Sequence, residues 1–177
     1  MYDVIIIGAG AAGLMCAIEA GKRGRSICVL ERNQKIGEKI RISGGGRCNF
    51  TNMVTEHAHY ISENPHFCKS ALARFTPDDF ISMVKMHGIS YHEKTLGQLF
   101  CDHSSRQIIA MLQKECDDAC VRVVLDCQIS DVRKGDRFVI TTNKGEFESD
   151  SMVIATGGLS IPKLGVTDFG YRLARQF

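Results

Sequence analysis

Gly8-Ala9-Gly10-Ala11-Ala12-Gly13 sets three glycines at the G-x-G-x-x-G spacing near the start of the 177-residue chain. Each has a separate task in a turn from strand to helix. Gly8 permits the tight turn, Gly10 lets backbone approach a pyrophosphate, and Gly13 allows the helix to pack closely on the strand. The helix that opens there offers free amides and about half a positive charge to phosphates. Glu31 follows 18 residues after Gly13. A carboxylate there can accept both hydroxyls of an adenosine ribose and would repel a 2′-phosphate. The chemistry implied is capture of a dinucleotide, provided that strand, helix, second strand and acid stand in register.

The surrounding elements supply that register. Tyr2–Ile7 reads as a strand buried on both faces, Ala11–Lys22 as a small-residue helix, and Ser26–Glu31 as a second strand. Leu14, Ala17 and Ile18 share one side of the helix, and Gly24 follows its end. This is a β-α-β unit with parallel strands and a right-handed crossover. Val121–Cys127 reads as a third parallel strand. Three short strands follow at Ile129–Arg133, Arg137–Thr142 and Glu146–Ser149, joined by the hairpin residues Gly135-Asp136 and Asn143-Lys144-Gly145. Ser151–Ala155 is a last buried strand ending in Thr156-Gly157-Gly158. Thr76-Pro77-Asp78-Asp79 starts a helix that carries Phe80, Met83, Val84 and His87 and stops at Gly88. A further helix runs from Ser104 to Asp118, with Ile108, Ile109, Leu112 and Cys116 at core spacing. The expected fold class is α/β: one Rossmann-type domain over residues 1–177, with a central parallel sheet and a three-stranded antiparallel flap.

The glycine fingerprint alone does not separate NAD from FAD. Two features favour FAD. One is the antiparallel excursion Ile129–Ser149, where a nicotinamide domain usually crosses by a helix. The other is Arg32–Asn52, read as a long glycine-rich loop, whose length marks it as functional. Gly44, Gly45 and Gly46 let backbone lie against a flat ring or phosphates. From Arg32 to Arg47 the loop holds five basic residues (Arg32, Lys35, Lys39, Arg41, Arg47) against Glu38, a local charge of +4.

Composition sets the outer limits. Hydrophobic content of 44% and charged content of 24% are ordinary for a globular protein. A net charge of +2 argues for neither a nucleic-acid nor a membrane partner. The apolar first twenty residues lack a basic leader and are interrupted by glycines, so they read as strand and helix rather than an export signal. Eight scattered cysteines with no C-x-x-C pair fit reduced thiols in the cytoplasm. Cys116 and Cys120 lie four apart on the expected helix, where they can share one face, but no second pair completes a metal site. His57-Ala58-His59 is an H-x-H in a polar stretch without acidic or thiol partners, and it reads as a solvated loop.

The chain resembles the BaiN-like flavoproteins, a family of FAD-dependent oxidoreductases. The resemblance covers essentially the whole sequence. It rests on the fingerprint, on Lys39 followed by Ser43–Asn52, on Gly97–Phe100, and on Ala155–Gly158 with Ser160, Pro162, Gly165 and Gly170-Tyr171. It implies that Gly8, Gly10, Gly13 and Glu31 hold the ADP half of FAD, with Ala11, Ala12 and Arg32 completing that end. Lys39, Ser43, Gly44, Arg47, Cys48 and Asn49 are then expected along the pyrophosphate and flavin. Ile129 gives backbone contacts near the adenine, and Ala155, Thr156 and Gly157 close over the cofactor.

Cys48 invites a redox role beside a flavin, but it reads better as a small residue tolerated in a tight loop. In a flavoenzyme the hard chemistry belongs to the cofactor, so no catalytic residue is assigned. The expected activity is redox transfer between flavin and a small-molecule substrate, with NAD(P)H a candidate reductant and neither nucleic acid nor membrane as partner. A non-catalytic nucleotide-binding fragment and an NAD-linked dehydrogenase domain are the alternatives. Asp168–Phe177 reads as the opening turns of a helix with Phe177 last, and the family pattern adds a substrate domain and a returning segment. The expectation is therefore of an N-terminal portion of a longer enzyme.

Overall fold

A computed structural model describes residues 1–161 and 167–177. In chain order the strands are β1 (Tyr2–Ile7), β2 (Ile27–Leu30), β3 (Asn49–Asn52), β4 (Tyr91–Glu93), β5 (Gln98–Cys101), β6 (Arg122–Val124), β7 (Ile129–Lys134), β8 (Phe138–Thr142) and β9 (Gly145–Ile154). The helices are α1 (Ala11–Gly21), α2 (Glu38–Ile42), α3 (Lys69–Arg74), α4 (Pro77–Met86), α5 (Arg106–Asp118) and α6 (Phe169–Gln176). The chain divides into two compact units, one of Met1–Lys39 with Leu112–Phe177 and one of Ile40–Met111.

The first unit is built on a six-stranded sheet in the order β6-β2-β1-β9-β8-β7. β1 pairs in parallel with β2 (Ile5 opposite Cys28) and with β9 (Ile5 opposite Met152), and β6 extends the parallel set beside β2. Val4-Ile5-Ile6-Ile7 is apolar at every position because both faces of this central strand are covered. Ile5, Ile7, Cys28, Leu30, Val132, Ile140, Phe147 and Leu173 fill the core on one face. Strand alternation puts Ile6 on the other, and it is as fully buried as Leu14, Ala17 and Ile18 of α1. Each such aliphatic side chain contributes about 1.5–3 kcal/mol by leaving water.

The α/β class and the antiparallel flap are borne out, with one difference of construction. Glu146–Ser149 and Ser151–Ala155 are not two strands but parts of one ten-residue strand, β9. Its first half pairs antiparallel with β8, and its second half runs parallel to β1. Ser149 belongs to both, opposite Phe138 on one side and Tyr2 on the other. Asp150 looks like a turn residue in sequence, but on this edge it pairs with Arg137 at 2.8 Å and the strand continues. The flap therefore extends the central sheet.

The second unit carries a three-stranded antiparallel sheet, β3-β5-β4. Thr76 caps α4 as expected, in a capping box with Asp79 and with Pro77 at the first turn. Phe50 packs its ring against Phe80 at 6.0 Å and Tyr91 at 5.5 Å. Arg32–Asn52, expected as one long loop, instead contains α2, a 3₁₀ turn at Ser43–Gly46 and β3. Lys39-Ile40-Arg41-Ile42 has helical character with Ile40 buried, and the three glycines after it had masked that signal. His57–His59 forms a short 3₁₀ turn and is exposed, in keeping with a solvated stretch. Cys116 and Cys120 do not share a helix face. Cys116 is buried in α5, whereas Cys120 lies beyond its end, exposed and at φ 55°.

Candidate functional site

In the first unit the turn after β1 is shaped almost wholly by backbone. Gly8 adopts φ 107° and donates its amide to the Leu30 carbonyl at 2.8 Å. A Cβ on Gly8 would stand 2.5 Å from the Ala155 carbonyl oxygen, and one on Gly13 would stand 1.9 Å from that of Gly8. No side chain larger than hydrogen fits either place. Around Gly10 the situation is reversed, because a Cβ there meets nothing within 4 Å. Gly10 is also the N-cap of α1, with no side chain capping the helix and no acid in its first turn. Ala11 and Ala12 are exposed. The first amides of an eleven-residue helix thus face open space, which suits a diphosphate.

Glu31 is 8% exposed at the end of β2. Its Oε2 accepts the Ala9 amide at 2.7 Å and its Oε1 accepts that of Asn33 at 2.8 Å. Two donated hydrogen bonds fix the carboxylate and leave one lone pair on each oxygen for a ribose. The entry to β7 runs beside this acid: Cys127 donates to the Glu31 carbonyl at 2.9 Å and Asp126 to that of Asn33 at 3.1 Å. Ile129 follows two residues after Cys127, at the start of β7. Arg32 is exposed and engaged by neighbouring groups.

Ala155 donates its amide to the Ile7 carbonyl at 2.8 Å, so Ala155, Thr156 and Gly157 leave β9 directly over the Gly8 turn. Gly170 in α6 is pressed against the same segment, where a Cβ would meet Thr156 Oγ1 at 2.1 Å. Lys39 Nζ donates to the Gly158 carbonyl at 2.8 Å and to Ser160 Oγ at 3.0 Å. Lys39 therefore ties the Gly157–Ser160 segment. Pro162 and Gly165 lie outside the described residues.

In the second unit, Ser43–Asn49 is held by its own backbone. Cys48 donates to the Ser43 carbonyl at 3.0 Å, Arg47 to that of Gly44 at 3.3 Å, and Ser105 to that of Gly46 at 2.7 Å. Gly44, at φ 56°, packs on Phe100, whose Cε1 would lie 2.7 Å from a Cβ. Ser43 Oγ donates to the Ile40 carbonyl at 2.8 Å. Asn49 is exposed and pairs with Phe100 across β3 and β5. The Arg47 guanidinium donates to the Asp102 carbonyl, so this exposed cation has a structural partner. Burial pushes the Cys48 thiol up, with a hydrogen bond to Ser43 pulling the other way. Cys48 is 5% exposed, an environment that disfavours a thiolate nucleophile.

Sequence reasoning missed the contact from Lys39 to Ser160 and a His92–Asp102 pair at 2.7 Å. Neither carried a local signal. The first spans 121 residues, and the second depends on how β4 registers on β5.

A family model, the HI0933-like protein Rossmann domain, matches residues 2–177. The chain belongs to this family. Members of the HI0933-like family are flavoprotein oxidoreductases with an FAD-binding Rossmann domain, which bears out the BaiN-like resemblance. Two HI0933-like relatives, both named ribosomal RNA dihydrouridine synthase, are 52% identical to the chain. The one from Haemophilus influenzae aligns over 98% of the chain and the one from Escherichia coli over 99%, in each case against 44% of the relative. The chain thus spans less than half the length of these relatives. Glycine oxidase from Geobacillus kaustophilus superposes with a TM-score of 0.55 at 17% identity, over 93% of the chain and 57% of that structure. At that identity it speaks for the fold. The names of the two relatives run against the expectation of no nucleic-acid partner. A net charge of +2 averages over a surface and counts less than half of such a protein, so it was a weak guide to one substrate. Among the described residues no helix is long and apolar enough to cross a membrane.

Proposed function

We propose that residues 1–177 are the FAD-binding part of a flavin-dependent reductase whose substrate is a uridine in ribosomal RNA. The observation that carries this reading is 52% identity, along nearly the whole chain, to two proteins named for that activity. The small-molecule substrate expected from the sequence becomes, in this reading, one nucleotide of an RNA.

The first unit fits the ADP half of FAD by what its residues leave open. Gly10 and the exposed Ala11 and Ala12 present the α1 amides to the diphosphate, Glu31 receives the ribose hydroxyls, and Ile129 lies toward the adenine. Gly8 and Gly13 serve by letting other backbone approach. Ala155, Thr156 and Gly157 form the cover, which Lys39 ties in place, and Arg32 adds charge at the ribose end. Ser43, Gly44, Arg47, Cys48 and Asn49 make up the flavin-side loop by family resemblance. When bound, FAD supplies hydride transfer, with NAD(P)H as its reductant. The protein's task is to hold and orient, and to keep water from the reacting centre.

The test is reconstitution. Protein loaded with FAD, given NAD(P)H and ribosomal RNA lacking dihydrouridine, should add two hydrogens to a uridine, read as a mass gain in the digested RNA. No mass gain, with the flavin still reduced and reoxidised, would leave an oxidoreductase of another substrate. Failure to reduce any bound flavin would favour a non-catalytic nucleotide-binding part.

A further inference from the structure

Residues 57–75 of the second unit contain no buried residue, yet Tyr60, Ile61, Phe67 and Phe75 all lie there. Five of the eleven residues from 57 to 67 bear planar rings, and all five are exposed. They are His57, His59, Tyr60, His66 and Phe67. Elsewhere in the unit rings serve packing: Phe50 meets Phe80 at 6.0 Å and Tyr91 at 5.5 Å, and Phe75 meets Phe80 at 6.4 Å. Tyr60 and Phe67, 48% and 79% exposed, contact no other ring among the described residues.

Backbone hydrogen bonds hold these rings in two turns. The Tyr60 amide donates to the His57 carbonyl at 3.1 Å, and the Phe67 amide to that of Asn64 at 3.1 Å. The Cys68 thiol donates to the same His57 carbonyl at 3.9 Å, which sets the two turns side by side. Beside Tyr60 opens a groove of about 430 Å³, lined in part by Thr55, His59 and Leu96. His59 Nδ1 accepts the Glu56 amide at 3.3 Å, so in the neutral ring the proton stands on Nε2 as a donor. Lys69 and Arg74 stand at the two ends of α3. Both are exposed, and neither has an ion-pair partner among the described residues.

Folding gives little reason for this composition, because rings left in water contribute no transfer free energy. Exposed rings followed by cations do offer a stacking platform. Unpaired bases lie on the faces of Phe, Tyr and His, and cations track the phosphates. A duplex does not suit this chemistry, since its bases are already stacked on one another. We infer that residues 57–75 form a docking surface for a single-stranded segment of ribosomal RNA. Tyr60 and Phe67 stack bases, and Lys69 and Arg74 meet phosphates. The groove beside Tyr60 suits an unstacked uracil, whose carbonyls can accept from His59 Nε2–H. The surface lies wholly within one unit. This inference rests on the ribosomal-RNA reading above.

The experiment titrates the FAD-loaded protein into a labelled, uridine-rich single strand of about twelve nucleotides, and into the same sequence as a duplex. Affinity is read by fluorescence anisotropy across a salt series for wild type, a Tyr60→Ala/Phe67→Ala double variant and a Lys69→Gln/Arg74→Gln double variant. Thermal denaturation checks that these surface changes leave the fold intact. Loss of both rings should weaken single-strand binding roughly 30-fold or more, with the salt dependence unchanged. Loss of both cations should make the slope of log K against log salt shallower by about 1.4. The duplex should bind more weakly than the single strand. Dihydrouridine formation in ribosomal RNA is measured alongside, and the ring variant should raise KM with kcat unchanged.

Equal affinity of wild type and ring variant for the single strand overturns the surface, and dihydrouridine formed by both would leave the uridine reading standing. Ring-dependent binding with no dihydrouridine formed would keep the surface and overturn the uridine reading. Ring removal that abolishes self-association, read by light scattering, while RNA affinity stays the same would give the surface to a second copy of the chain and overturn its assignment to RNA.

Discussion

The two compact units handle chemistry in opposite ways. Around Gly8, Gly10 and Gly13 the work falls to main chain: carbonyls closer than a Cβ would allow, α1 amides facing open space, and one carboxylate held by the amides of Ala9 and Asn33. In the unit of Ile40–Met111 the pairings that stand out are between side chains, His92 with Asp102 and Phe50 with Phe80 and Tyr91. Cys48 and Leu96 stand at φ 53° and 58°, and all six histidines of the chain lie in this segment. A site made of backbone leaves its mark in sequence as missing side chains at fixed spacing. A site made of side chains on short strands leaves almost none.

The sharpest way to break this contrast is Gly13→Ala. Its methyl would stand 1.9 Å from the Gly8 carbonyl, so helix and strand must separate. We expect a loss of about 1–3 kcal/mol or more and protein that no longer retains flavin, read by thermal denaturation and absorbance. Wild-type stability would mean that backbone proximity is not what defines the turn. Glu31→Gln comes next. It keeps the shape but faces the Ala9 and Asn33 amides with a group that is half donor. Hydrogen bonds to a charged partner contribute about 1.5–3 kcal/mol, so ADP affinity measured by calorimetry should fall about 10- to 100-fold.

A third prediction concerns both units through their buried thiols. Burial pushes Cys28 and Cys116 in one, and Cys101 in the other, from 9.0 up to about 11. The unfolded chain gives up these protons near pH 9, whereas the folded chain keeps them to about 11. Stability is therefore fully present below that window and falls as pH rises through it. A denaturation midpoint that stays flat there would contradict the burial of these residues.

The smallest effect sharpens the contrast from the other side. Leu96 is 89% exposed at φ 58°, so its side chain contributes no packing while its backbone carries strain. Leu96→Gly should stabilise the protein by about 0.5–1 kcal/mol, measured by chemical denaturation. Destabilisation would mean that the leucine makes contacts worth more than the strain.

The same contrast explains what could be read from sequence. The β-α-β unit, Glu31 and the hairpins at Gly135 and Asn143 were legible because glycine spacing and apolar runs encode local geometry. The capping box at Thr76 was legible for the same reason. β4 and β5 were not: three and four residues long, they become strands only by pairing with each other and with β3. Their register, and hence the meeting of His92 with Asp102, has no local signature. The glycines at 44–46 were seen, but they hid the short helix before them. In β9 the polar Asp150 disguised one strand as two.

Whether this chain holds FAD is read most directly from the visible absorption spectrum of the purified protein after loading with FAD and washing. Flavin bands should stay with the protein and weaken in Gly13→Ala. A protein that washes colourless, yet binds a nicotinamide dinucleotide at the same turn, would contradict that expectation.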